Sequence, residues 1–307
     1  MVKSLLNGAK GLAVVALLTV AVIFPSSASA LNLSTTNTLA AQEVGPTGVT
    51  LRGQIGPTQP ETLYWFEYGP TTAYGTKTPM KTLNTSELSF VKERINKEFT
   101  PGTTFHYRMF ATDSENTDIG EDKTFVVHTF QAEKSPVHLI GNVAPGTRLR
   151  IGTKAGVFEC DSAELDEAYL PFPATSFTVW PYLSKCHSGS DPAVGYIYPN
   201  KCKYKFNVDQ GLAPTTGSID MVNCSPEMTT NSAYICPGGV LGLPPQNLGP
   251  VTYSADGSSW KPGIVATLRD TNISYKCGTT TYNFGTLEAT WRIYAWEGAT
   301  PVGLFVK

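Results

Sequence analysis

Leu287-Glu288-Ala289-Thr290-Trp291-Arg292-Ile293-Tyr294-Ala295-Trp296 puts Leu287, Ala289, Trp291, Ile293 and Ala295 on one phase and Glu288, Thr290, Arg292, Tyr294 and Trp296 on the other. A period of two is the repeat of a β-strand with one buried and one wet face, whereas a helix would repeat its apolar stripe at three and four residues. Cys202, Tyr204, Phe206 and Val208 alternate in the same way with Lys203, Lys205 and Asn207. Val49, Leu51 and Ile55 do so around Gly53, and Phe105, Tyr107, Met109 and Ala111 do so against His106, Arg108 and Phe110. Gly, Pro, Asn and Asp separate these runs. Glu164–Leu170 is the one stretch of the second half with a helical turn in its pattern. The prediction is an all-β chain of two β-sandwich-like modules in tandem.

The first residues have a different character. Lys3 and Lys10 precede an apolar run of thirteen residues from Leu12 to Phe24, then Pro25 and small residues ending Ala28-Ser29-Ala30. That order is a secretory signal peptide over residues 1–30. The run falls short of the ~20 residues a membrane-spanning helix needs, so cleavage after Ala30 and no stable membrane span are expected. The C-terminal Gly303-Leu304-Phe305-Val306-Lys307 shows no hydrophobic tail or sorting signal. The expected location is secreted or extracellular, the product either loose or held to the cell surface by other proteins.

Loss of residues 1–30 removes Lys3 and Lys10 and no acid, so the net charge moves from −2 to −4. A mildly acidic chain lacks the basic face that nucleic acid requires. All six cysteines, Cys160, Cys186, Cys202, Cys224, Cys236 and Cys277, lie in the second half. An even number in an exported chain reads as disulfides, and the absence of any C-x2-C pair argues against zinc. Six cysteines allow fifteen connectivities. Loop closure favours near neighbours in order: Cys160 with Cys186, Cys202 with Cys224, and Cys236 with Cys277. The Cys202–Cys224 bridge would staple the open end of a hairpin.

Two motifs carry a resemblance over residues 37–128. Tyr64-Trp65-Phe66-Glu67-Tyr68-Gly69-Pro70-Thr71-Thr72-Ala73-Tyr74-Gly75 and Phe99-Thr100-Pro101-Gly102-Thr103-Thr104-Phe105-His106-Tyr107-Arg108-Met109-Phe110-Ala111 resemble the aromatic strand-and-turn and the approach to strand F of bacterial fibronectin type III-like domains. The resemblance implies a β-sandwich. Phe105 stands where that family has a corner tyrosine, so packing must hold the corner. Val127–Pro136 has no sustained alternation and reads as the boundary between modules, which are expected to fold separately. The layout of residues 137–307 is similar to cysteine-stapled β modules of unknown function in some exported bacterial proteins.

No G-x-S-x-G elbow accompanies the four histidines, His106, His128, His138 and His187, which read as surface or boundary residues. Asp161, Glu164, Asp166 and Glu167 form the densest acidic cluster, but neither it nor Asp113, Glu115 and Asp118 matches a calcium loop. No catalytic residue, metal ligand or cofactor site is predicted. Trp260, in the turn Asp256–Gly263, together with Tyr294 and Trp296 on the polar phase of their strand, are the candidate ligand-facing aromatics. The expected function is a non-enzymatic binding or adhesion scaffold for a cell-wall or extracellular glycan or protein. The competing reading is an extracellular polysaccharide-active enzyme using the acids of the second module.

Overall fold

The computed structural model describes residues 36–307 except 57–60, 85–86, 114–115, 189–190, 211–214, 225–227, 231–235, 237–239 and 258–261; for 191–196, 228 and 230 only the backbone is described. The predicted signal peptide, residues 1–30, lies outside the described residues. The chain is all-β. Its buried apolar side chains gather in two clusters, one drawn from Val49–Val127 and one from Phe130–Leu304.

In the first, the strands Thr36–Gly45, Gly48–Ile55 and Ser89–Ile95 make one antiparallel sheet. Thr62–Gly69 and Thr104–Thr112 form the centre of the other, which carries the short strands Thr76–Lys77, Lys81–Leu83, Thr117–Ile119 and Lys123–Val126. The alternation of Gly48–Ile55 sets Val49, Leu51 and Ile55 against Phe66, Tyr107 and Met109. Gly53 faces inward with them because Met109 occupies its side-chain space: a Cβ there would stand 1.9 Å from the methionine sulfur. Phe105 stacks on Phe125 and meets Phe99 edge-on, with centroids 5.4 and 4.9 Å away, so aromatic packing holds the Phe105 side chain in place. Two residues on, the Tyr107 hydroxyl donates to the Leu39 carbonyl at 2.7 Å and ties the two sheets.

The second cluster is enclosed by a thirteen-stranded sheet. Four long strands, Gly156–Leu170, Ser176–Ser188, Gly263–Cys277 and Thr280–Glu297, run through two levels. At one level Val137–Val143, Lys203–Val208, Thr216–Val222 and Asn247–Asp256 fill the spaces between them, and the hydrogen-bonded neighbours close into a ring. At the other level Leu149–Thr153, Asp191–Tyr198, Met228–Thr230 and Leu241–Leu243 close a second ring. The two layers of a sandwich are thus continuous at their rims. Closure leaves few edges for unwanted pairing. Trp291 is fully buried and meets Tyr204 and Phe206 edge-on.

Between the levels, inward residues change phase from Phe158 and Cys160 to Ala163 and Leu165. The partner strand changes between Leu183 and Cys186, where Lys185 takes φ 54°, and Gly263–Cys277 slips register between Asp270 and Ile273. The three disulfides are Cys160–Cys186, Cys202–Cys224 and Cys236–Cys277, the near-neighbour set. Cys202 and Cys224 flank the open end of the Lys203–Val208 and Thr216–Val222 hairpin, as expected.

Two expectations need correction. Glu164–Leu170 is strand, because it is paired on both sides, to Val137–Val143 and to Ser176–Ser188, and such pairing overrides a weak local preference. His128 is buried. The boundary segment Val127–Pro136, within which the two cores divide, itself carries a short strand: Phe130–Ala132 pairs with Leu304–Val306, and Phe130 packs edge-on against Phe177 and Tyr253 in the second core.

Candidate functional site

On the outer face of the second module, four neighbouring strands bring charged residues into one row. Glu159 stands opposite Arg150, Arg150 opposite Glu288, and Glu288 opposite Arg269. His187 extends the row beyond Glu159. With strands about 4.8 Å apart, the row from Glu159 to Arg269 spans roughly 14 Å. The placement follows from alternation: Leu287 and Ala289 point into the core, so Glu288 must point out.

The row floors a groove of about 760 Å³, lined also by Thr147, Arg148, Asp161, Thr267 and Thr290. Arg148 donates to Asp161 at 2.6 Å and to Glu159 at 3.1 Å, and Arg150 reaches Glu159 at 2.7 Å. Asp161 first, and Glu159 after it, hold the Arg148 guanidinium above its ordinary pKa. Two arginines thus neutralise Glu159 and Asp161. Arg269 and Glu288 are exposed, and among the described residues neither has an ion-pair or side-chain hydrogen-bond partner. Sequence reading noted Glu288 only as a wet-face residue and missed Arg148, Arg150, Glu159 and Arg269, since the row exists only once Leu149–Thr153 is known to lie between Gly156–Leu170 and Thr280–Glu297.

The acidic cluster disperses along one strand. Asp161 serves Arg148, Asp166 pairs with His138, Glu167 accepts from Lys203 at 2.6 Å, and Glu164 accepts from Ser162 at 3.2 Å. Asp113 and Asp118 accept from backbone amides of Asn116 and Thr36, and Glu115 lies outside the described residues.

Of the predicted aromatics, Trp260 lies outside the described residues. Tyr294 is half-buried, its ring against Gly263 and its hydroxyl donating to the buried carboxylate of Asp256, which Arg292 approaches to 3.7 Å. Trp296 is half-buried between its strand neighbours His138 and Pro301. Sequence reading missed two further aromatics on the outer face of Ser176–Ser188. Trp180 carries Lys203 over its ring at 4.4 Å, and Tyr182 is 52% exposed. Their signal was available, since Phe177, Val179 and Leu183 hold the opposite phase. No family model matches the chain, and no characterised protein matches its sequence.

Proposed function

We propose that this chain is an exported, non-enzymatic binding or adhesion scaffold, cut after Ala30, whose second module presents the binding surface. The observation that carries the reading is the groove of alternating charge, a polar recess held on rigid, paired strands with an uncommitted cation and anion on its floor. Three disulfides suit an oxidising setting outside the cytoplasm. The fibronectin type III-like module serves as spacer or second contact, and the ligand is material of the cell wall or the extracellular space.

The test is co-sedimentation of the mature chain, beginning at Leu31, with bacterial cell-wall preparations, alongside assays for released reducing ends. Saturable sedimentation without release supports the scaffold. Sugar release abolished by Glu288→Gln would instead establish the polysaccharide-active enzyme, and neither sedimentation nor release would refute both.

A further inference from the structure

The groove offers a balance of charge that narrows its ligand class. Arg148, Arg150 and Arg269 face Glu159, Asp161 and Glu288, so a polyanion would gain no net field there. Among the described residues no aromatic side chain lines the recess, which disfavours an apolar ligand. A hard cation needs six or more oxygens converging on one point, and arginines already hold two of the three carboxylates.

What remains for a ligand is the planar donor fork of Arg269 and the paired acceptor oxygens of Glu288, beside the hydroxyls of Thr267 and Thr290, of which Thr290 donates to Thr267 at 3.4 Å. A guanidinium presents two parallel donors at fixed spacing, and a carboxylate presents two acceptors. Adjacent hydroxyls on a sugar ring, each both donor and acceptor, match either group in pairs. The volume of about 760 Å³ lies within the range of roughly 300–1,000 Å³ typical of small-ligand sites.

Resting on the binding reading above, we infer that the groove is a subsite for a neutral saccharide chain, with Arg269 and Glu288 as its specificity-determining contacts. Glu159, clamped between Arg148 and Arg150, fixes one wall and contributes a positioning role. The ligand lies across the strands, along the row from Arg269 towards Arg150.

The experiment is calorimetric titration of the mature chain with neutral gluco-, manno-, galacto- and N-acetylglucosamine oligosaccharides at physiological ionic strength. Arg269→Ala and Glu288→Ala are compared with Lys92→Ala on the first module. Loss of one charged hydrogen-bonding partner should weaken binding roughly ten- to a hundredfold in either groove variant, with no effect at Lys92. Arg269→Gln and Glu288→Gln replace the alanines if either lowers the melting temperature. Binding of no neutral saccharide, binding that survives both substitutions, or binding of charged oligosaccharides alone that vanishes with salt would each overturn the assignment. If wall sedimentation persists unchanged in the groove variants, the saccharide subsite fails while the scaffold reading stands; if sedimentation is itself absent, the scaffold reading fails.

Discussion

Gln210 clasps the backbone of His128 in both directions: its Nε2 donates to the His128 carbonyl at 2.9 Å, and its Oε1 accepts from the His128 amide at 3.0 Å. The two residues are 82 positions apart, so this amide ties the end of the first core to a loop of the second module. Gly102, Thr129 and Glu133 add backbone hydrogen bonds on either side, to Val127, Lys307 and Gly303. Gln210→Ala should leave a part-buried amide without its partner, at a cost of about 1–3 kcal/mol. The expected result is faster hydrogen exchange at His128 and faster proteolytic nicking within Val127–Pro136, a segment the parent chain should protect. Equal nicking in both chains would contradict the clasp.

Reduction should separate the two cores. The bridges close loops of 26, 22 and 41 residues, for which chain entropy gives about 3–4 kcal/mol each. Calorimetry with reductant should show the second module's transition lost and that of the cysteine-free first module retained. A second transition indifferent to reductant would contradict this.

Alkali should find Tyr107. Burial pushes its hydroxyl up to about 12 from an ordinary value near 10. A folded pKa above the unfolded one means that the stabilisation is fully present below about pH 10 and is lost as pH rises through about 12. Tyr107→Phe should lower stability at pH 7 by about 1 kcal/mol through the lost bond to Leu39 and flatten the decline above pH 10. An unchanged alkaline slope would refute the assignment.

Alternation in Leu287–Trp296 made the strand legible, and the same logic located Cys202–Val208 and its stapled hairpin, because period two is a local property. The groove was not legible in this way. Arg150 and Glu288 are far apart in sequence and meet only through register, and Arg148 lies outside any alternating run. Phe130 went unnoticed for a related reason: its strand Phe130–Ala132 is too short to show a period, and its partner is Leu304–Val306, far along the chain. Trp296 read as wet because phase alone cannot show that His138 and Pro301 flank it.

Export predicts a defined first residue. On the proposed export, the small residues Ala28 and Ala30 are expected to direct the cut before Leu31, so N-terminal sequencing of secreted material should begin Leu31-Asn32-Leu33. Recovery of Met1 in a membrane fraction would contradict cleavage.

Hydrogen exchange of the mature chain, free and bound to cell-wall material, is the most direct test of the binding wall. Binding should protect Thr147–Asp161 and Thr267–Thr290 while leaving Gly48–Ile55 and Ser89–Ile95 unchanged. Protection confined to the first module, or to the Trp180 and Tyr182 face, would contradict the assignment of the groove as the binding surface.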